Sequence, residues 1–470
     1  MPWVLLCLLL LTGCSGRMEG YVHLAGDHFE LDGEAWWPVM LNYKAFFAER
    51  DSGVTVVPAP WYTGDDIGAH FDAIAACGFN AVRVCLDVSD SVADPTERWR
   101  ATRRMVERAG RSGLRVMLLV KPPFEGYWRD YAVGLMKMMA DEPSLWAWDL
   151  MNEPLYFDPA AEREKSETVA EVCRWRDLVR RHAPRHLFTV ALAEPIEVFE
   201  WDPSLLPVDF VEIHTYHPLR VASEMWWYSH YSGRPWMVGE TGLPADGDSV
   251  PYNMQCRFME ETLRYARSCG ACGYGWWEFQ DAPYGVNFEA QYTGLRDTQG
   301  AMKWDVAALL GRLLQEPVTA AASAPVNYGN MLAYDQIALV GRITDRSGHA
   351  VEGAVVRGWN DDWSVGMNTY TDADGCFRLV SNDSCVHFEL SAPGYSHLKF
   401  DRRGIIPQGL SLERREREYQ QIPLLGWGDG EHVLPVDATQ FAAPQATEVS
   451  IGTFQIDRFN RFRRWSAKHR

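Results

Sequence analysis

The chain has 470 residues, 47% hydrophobic and 23% charged, which excludes a disordered polymer and exceeds the size at which one hydrophobic core stops growing. A formal charge of −18 argues against a nucleic-acid partner, because a phosphate backbone needs a basic face. Twenty Trp, 19 Tyr and 20 Phe leave two readings open: stacking surfaces for the flat apolar faces of sugar rings, or a Trp-rich core.

Residues 1–14 form a short apolar run that ends in Thr12-Gly13-Cys14, and Ser15-Gly16 follow it. It is too short to span a bilayer as a mature helix and reads as a signal peptide. Leu11-Thr12-Gly13-Cys14 resembles the lipobox of bacterial lipoproteins, although no Lys or Arg precedes the run. The resemblance implies lipidation at Cys14 and a place in the bacterial cell envelope, lipid-anchored at the outer membrane or cell surface, or secretion. Setting aside Cys7 and Cys14 leaves eight of the ten cysteines, which an oxidising compartment permits to pair. Cys376 and Cys385 read as lying on neighbouring strands of a hairpin and are the favoured pair. Cys269-Gly-Ala-Cys272 has no second Cys or His pair to complete a zinc site, so it reads as a helix end packed against a strand.

Phe29-Glu-Leu-Asp-Gly33 predicts a small hairpin leading into the strand Trp37-Pro-Val-Met-Leu-Asn-Tyr43. Further strands are expected at 80–86, 114–120, 145–150, 187–192, 208–214, 236–239 and 274–278, with helical patterns at 67–77, 97–111, 128–140, 161–182 and 252–269. Eight strands apolar on both faces, separated mostly by helix-length segments, imply a parallel sheet covered by helices. Their number and span match an α/β fold of the (β/α)8 TIM-barrel type, and no glycine-rich phosphate loop supports an open doubly wound sheet. This barrel is expected over 20–318. A small, polar stretch at 319–335 reads as a linker, and the alternating segments 337–345, 353–359, 368–371, 376–380 and 385–391 predict a small antiparallel β-sandwich over 336–425. Residues 426–470 show no readable domain, and their basic, aromatic end reads as a docked or frayed terminus.

In a TIM barrel the C-terminal strand ends share one mouth. Here they offer Asn42 and Tyr43, Arg83 and Asp87, Lys121, Asn152 and Glu153, His214 and Tyr216, Glu240, and then Trp276, Trp277 and Glu278. Glu153 lies between Asn152 and Pro154. Glu240 lies in Val-Gly-Glu-Thr-Gly, where the flanking glycines let the backbone approach a ligand closely. Two carboxyls facing one glycosidic bond are what glycoside hydrolysis needs, one to protonate the leaving oxygen and one at the anomeric carbon.

Asn152-Glu153-Pro154, Glu240, Asn80-x-x-Arg83, His214-x-Tyr216 and the strand-eight Trp together resemble the clan of retaining (β/α)8 glycoside hydrolases. The likeness is greatest to the cellulase/mannanase family, glycoside hydrolase family five, and covers residues 25 to 315. It implies Glu153 as acid/base and Glu240 as nucleophile. It further implies Asn152 on the sugar 2-hydroxyl, Arg83 and Tyr216 holding Glu240, His214 on Glu153 or substrate, and Trp276 or Trp277 as the subsite floor. Asn42 and Lys121 join the substrate-binding set; where the family carries a His after strand three, this chain has Lys121. The implied activity is retaining hydrolysis of a β-1,4-linked glycan such as mannan or glucan, an oligo- or polysaccharide substrate, with no cofactor or metal. A non-catalytic glycan-binding protein and a transglycosylase are the alternatives. In the second domain, Val340-Gly-Arg-Ile-Thr-Asp-Arg-Ser-Gly348, Thr369-Tyr-Thr-Asp-Ala-Asp-Gly-Cys-Phe377 and Ala392-Pro-Gly-Tyr395 resemble the carboxypeptidase regulatory-like domain, a structural or interaction module.

Overall fold

The computed structural model describes residues 20–51, 53–87, 95–120, 127–158, 163–216, 220–283, 285, 288–320, 337–361, 366–381, 386–401 and 447–455. Cys14, Lys121 and Cys385 lie outside the described residues, as does most of the expected linker.

Eight strands pair in parallel in chain order: Val39–Arg50 (β1), Ala81–Asp87 (β2), Arg115–Leu119 (β3), Leu145–Asn152 (β4), Leu187–Leu192 (β5), Val211–His214 (β6), Trp236–Glu240 (β7) and Tyr274–Trp276 (β8). Tyr274 then pairs with Val39, so β8 returns to β1 and the sheet closes into a TIM barrel. One face of each strand fills the barrel and the other meets helices, which is why β4 is buried at every position before Asn152.

The crossovers carry Ile67–Ala76 (α1), Thr96–Arg111 (α2), Tyr127–Met139 (α3), the short Pro154–Phe157 (α4), Lys165–His182 (α5), Val221–Tyr231 (α6) and Tyr252–Ser268 (α7). Phe288–Tyr292 (α8) and Val306–Leu313 (α9) follow the last strand. Between β5 and β6 the described crossover holds only a 3₁₀ turn, Pro195–Phe199. The sequence pattern does not reveal α6, and its packing explains why. Val221, Met225, Trp227 and Tyr228 are all buried, and the Trp227 indole also donates to the Gly353 carbonyl of the second domain (2.8 Å). A helix covered on two sides has no polar stripe to betray its period.

The bottom of the barrel is plugged. The N-terminal strands Val22–Ala25, His28–Leu31 and Glu34–Trp36 form a small antiparallel sheet. Its Phe29 packs edge-on against Trp146 (5.1 Å between centroids) and Phe210 (5.0 Å), beside Met40, Met117 and Met237 from the strand starts. That leaves the opposite end, where the strands finish, as the place for a site.

A β-sandwich follows. One sheet holds Ile337–Thr344 (β9), Cys376–Ser381 (β12) and Thr447–Gln455 (β15); the other holds Val355–Trp359 (β10), Gly366–Tyr370 (β11), His387–Ser391 (β13) and Leu398–Asp401 (β14). Two elements depart from expectation. β15 comes from the C-terminal stretch without a readable domain and pairs in parallel with β9 along its full length. β12 and β13 lie in different sheets, so the hairpin expected to carry Cys376 and Cys385 does not exist: the chain crosses between the layers there. The sandwich is fastened to the barrel by polar contacts. Lys165, 3% exposed, donates to Asp202 (2.8 Å) and to the Ala392 carbonyl (3.2 Å), and the Gly394 N–H donates to Asp202 (2.8 Å).

Among the cysteines, Cys269 caps the C-terminus of α7 and the buried Cys272 thiol donates to the Trp236 carbonyl, which is the structural reading of the CxxC spacing. Among the described residues no helix is long and apolar enough to cross a membrane.

Candidate active site

β1 sets the geometry of the mouth by running seven residues past Tyr43, to Arg50, where it turns back antiparallel through Gly53–Pro58. Asn42 is therefore inside the barrel and not at its rim. Its amide donates to the Gly239 carbonyl (2.9 Å) and the Trp276 carbonyl (3.1 Å), and its Oδ1 accepts from Arg83 (3.0 Å). At 1% exposure with every polar group engaged, Asn42 is a barrel-floor anchor, which corrects its assignment to substrate. The same correction holds for Trp276. Its ring is fully buried against Phe258 of α7, and its indole N–H donates to the Thr293 carbonyl (3.1 Å). Strand alternation leaves Trp277, half-buried at the mouth, as the aromatic that a ligand could meet.

Arg83 is fully buried in the middle of β2 and organises the floor. It donates to Asp149 from Nε (2.9 Å) and Nη2 (2.7 Å), to Asn152 Oδ1 (2.8 Å) and to the Glu240 carboxylate, and its Nε lies 3.2 Å from Glu212. It is a positioning residue without surface for a sugar. Both oxygens of Glu240 are held: Oε1 by Arg83 and Oε2 by the Tyr216 hydroxyl at 2.5 Å. Asn152, half-buried at the end of β4, spends its carbonyl on Arg83 and keeps its amide N–H groups as donors.

Glu153 is set differently. Its backbone adopts φ 43°, ψ 69°, a left-handed conformation that a non-glycine residue holds only at a cost of about 1–3 kcal/mol. The surroundings hold it there. The Glu153 N–H donates to the Ala191 carbonyl (2.8 Å), Pro154 opens α4, and the Leu155 N–H donates to the buried Glu197 carboxyl (3.0 Å). The side chain, 18% exposed, meets His214 Nδ1 at 2.8 Å through Oε1.

His214 ties the two carboxylates together. Its Nδ1 is also 3.5 Å from Glu240 Oε2, and its Nε2 is 3.5 Å from Glu212. Burial alone would depress the imidazole, but Glu240 and the hydrogen bond to Glu153 outweigh it and raise it to about 10. It is an imidazolium at neutral pH. Beneath it, burial pushes Asp149 up to about 7 against the pull of Arg83, with Glu212 adding to the rise. Four carboxyls (Asp149, Glu153, Glu212 and Glu240) thus face two cations, Arg83 and His214.

Glu153, His214 and Glu240 each place one donor atom within 4.8 Å of the other two. That spread could suit a metal ion, but Glu240 already takes a guanidinium and the His214 ring already holds its protons, so an incoming ion would have to displace both. One oxygen of Glu153 and one of Glu240 thus approach within 4.8 Å, close enough for the two carboxyls to flank a single glycosidic bond.

Two partners of the site escaped the sequence reading. Asp149 and Glu212 are fully buried acids inside the apolar runs LWAWDLMN and VEIH. The signal was present, since a charge in a buried strand persists only with a partner. The glycines around Glu240 also serve another end than expected. A Cβ at Gly239 would collide with the Glu212 side chain, and one at Gly242 with the Trp277 carbonyl, so they make room for protein, not ligand.

No protein-family model matches the chain, and no curated protein matches it. Solved structures resemble its fold. An exo-β-1,4-mannosidase from Opitutaceae bacterium strain TAV5 is 18% identical, with a TM-score of 0.47 over 67% of this chain and 63% of that one. A GH5_18 protein from Streptomyces cattleya, solved with GlcNAc, is 18% identical (TM-score 0.48; 66% and 85% covered). An endo-1,4-β-mannanase from Rhizomucor miehei is 13% identical (TM-score 0.46; 63% and 100% covered). The chain spans less than two thirds of the first of these. Likenesses of this size identify no activity, so the functional reading rests on the geometry of the mouth itself.

Proposed function

We propose that the chain is a retaining β-glycosidase acting by double displacement, with Glu153 as acid/base and Glu240 as nucleophile. One observation carries this reading: two carboxyls from opposite parts of the sequence meet within 4.8 Å at a barrel mouth, in unequal surroundings. Glu240 is fixed by Arg83 and Tyr216, aimed and unable to rotate away. Glu153 is the more exposed of the two, where an acid can reach a leaving oxygen.

In the first step Glu240 attacks the anomeric carbon while Glu153 gives its proton to the departing oxygen. Negative charge leaves Glu240 as the ester forms, and Arg83 keeps its partners Asp149 and Glu212. In the second step Glu153, now a carboxylate beside the His214 imidazolium, takes a proton from water, which displaces Glu240 from the sugar. The donors left on Asn152 suit the sugar 2-hydroxyl, and Trp277 suits the ring face. Tyr156 (58% exposed) and Phe157 (62%), three and four residues after the acid, suit sugars beyond the cleavage point. The substrate class is a β-linked glycan, with β-1,4-mannan or glucan the reading of the motif set.

The test is turnover of aryl β-glycosides and a polysaccharide panel. Glu240→Ala is expected to lose about 10⁴-fold or more in kcat with the fold intact, and added azide should trap an α-glycosyl azide. Undiminished turnover in the variant ends the assignment. The envelope location belongs to the same proposal and rests on the Leu11-Thr12-Gly13-Cys14 motif. The sandwich, which resembles a regulatory-like module, then serves as a non-catalytic support.

A further inference from the structure

The mouth holds a second polar group that the two-carboxylate mechanism does not use. Lys44 lies two residues beyond Asn42 on β1, on the same face of the strand, and so one layer above the Arg83 floor. Its ammonium is 4.6 Å from the Trp277 ring centroid and 5.6 Å from that of Trp61. It is 3.7 Å from Glu278 Oε1, an ion-pair distance beyond hydrogen-bond reach.

Glu278 is 1% exposed. Its Oε2 accepts from the Tyr62 hydroxyl (2.8 Å), but its Oε1 is buried with no hydrogen-bond partner. The indole N–H of Trp61, whose ring lies near the Lys44 ammonium, is likewise buried and unpartnered. Glu278 feels the Glu240 charge, and the Trp277 N–H donates to the Thr241 carbonyl next to Glu240 (2.9 Å), so this group faces the same mouth as the nucleophile. A cation with open donors, a buried carboxyl oxygen with an open lone pair and an aromatic floor describe a ligand site.

Resting on the glycosidase reading above, we propose that Lys44 and Glu278 clamp two neighbouring hydroxyls of the sugar ring in the cleavage subsite. A hydroxyl both donates and accepts, so a neutral diol bridging the pair supplies Lys44 with an acceptor and Glu278 Oε1 with a donor. A sugar carboxylate only accepts, so it would satisfy the ammonium and leave Glu278 Oε1 without a donor, and the class read here is a neutral hexose. Position narrows the choice further. β4, with Asn152, stands across the barrel from β8 and β1, so a ring with its 2-hydroxyl on Asn152 turns its 3-, 4- and 6-hydroxyls toward the clamp.

The test compares 4-nitrophenyl β-glycosides of the preferred sugar with their 3-, 4- and 6-deoxy analogues, in the wild type, Lys44→Met and Glu278→Gln. In the wild type, loss of a clamped hydroxyl should lower kcat/KM by about 10- to 100-fold, the range for a hydrogen bond to a charged group. In each variant the penalty for the hydroxyl read by the removed group should fall below about threefold, while the penalty for the hydroxyl read by the remaining group persists. Melting curves check that both variants fold, and Glu278→Gln keeps an acceptor for Tyr62 should Lys44→Met fail. Deoxy penalties that stay unchanged in a folded variant overturn the clamp alone and leave the glycosidase standing. A Lys44-dependent preference for aryl β-uronosides overturns it in favour of a carboxylate reader. Should the wild type hydrolyse nothing, the glycosidase reading fails, and titration calorimetry of the same sugars on the full chain decides the clamp. Lys44-dependent binding that weakens for a deoxy analogue keeps the clamp, and no sugar binding overturns it.

Discussion

Glu197 offers a direct test of how burial shapes this mouth. The carboxyl is 2% exposed in the 3₁₀ turn after β5. Its Oε1 accepts from the N–H groups of Leu155 (3.0 Å) and Ala193 (3.2 Å), and its Oε2 has no partner. Burial raises it to about 8, opposed by those two amides and reinforced by the charges of Glu153 and Glu200. Its ordinary value is 4.5, so between pH 4.5 and 8 the folded state binds the proton that the unfolded state has lost. Stability therefore falls as pH rises through that window and levels off above about 8. At about 1.4 kcal/mol per pH unit the full cost is about 5 kcal/mol, an upper bound for a group that structural relaxation can hydrate. Glu197→Gln removes the titration while leaving an oxygen for the Leu155 and Ala193 amides. Urea unfolding followed by Trp fluorescence should place the two proteins close together at pH 5.5, with the variant gaining on the wild type by several kcal/mol at pH 8.5. The His214 imidazolium loses its own contribution between about 6.5 and 10, but it does so in both proteins and cancels from the comparison. Parallel stability curves from pH 5.5 to 8.5 would refute the claim that Glu197 folds protonated.

The adjacent tryptophans at the end of β8 should separate cleanly. Trp276→Ala empties a fully buried site and should cost about 3–5 kcal/mol in urea unfolding, whereas Trp277→Ala should leave stability within about 1 kcal/mol and act on kcat/KM instead. Equal loss of stability in both would mean that Trp277 is core as well. Cys14→Ser should move the protein from the membrane fraction to the soluble fraction of an expressing bacterium, as read by immunoblot. An unchanged distribution would remove the lipid anchor from the proposal.

The barrel was legible because its signal is redundant. Eight apolar runs repeat at crossover spacing, and an error of a few residues in any one leaves the count intact. The mouth was legible where a polar residue ends a strand, as Asn152, His214 and Glu240 do. It was misread at β1, because a strand end is set by what the strand pairs with, and residues 44–50 keep pairing with the hairpin that returns through Gly53–Pro58. That extension moved Asn42 from rim to floor and gave the rim to Lys44. The aromatic surplus likewise divides by layer, which composition does not record. Trp146, Trp148, Trp175, Trp201, Trp227 and Trp276 fill the interior, while Trp277, Tyr156 and Phe157 stay accessible near the site.

The buried acids carry the wider point. Alone, Asp149 or Glu212 inside an apolar strand reads as a folding penalty, and a single strand gives no hint of what offsets it. Closure of the barrel places both on one guanidinium, Arg83, which also holds Glu240. Each acid shares that cation with Glu240, so removing one should change how firmly Arg83 grips Glu240 even though neither acid is exposed at the mouth. The electrostatics of the mouth are thus a property of the closed sheet, written into strands far apart in sequence and readable only once β8 has met β1.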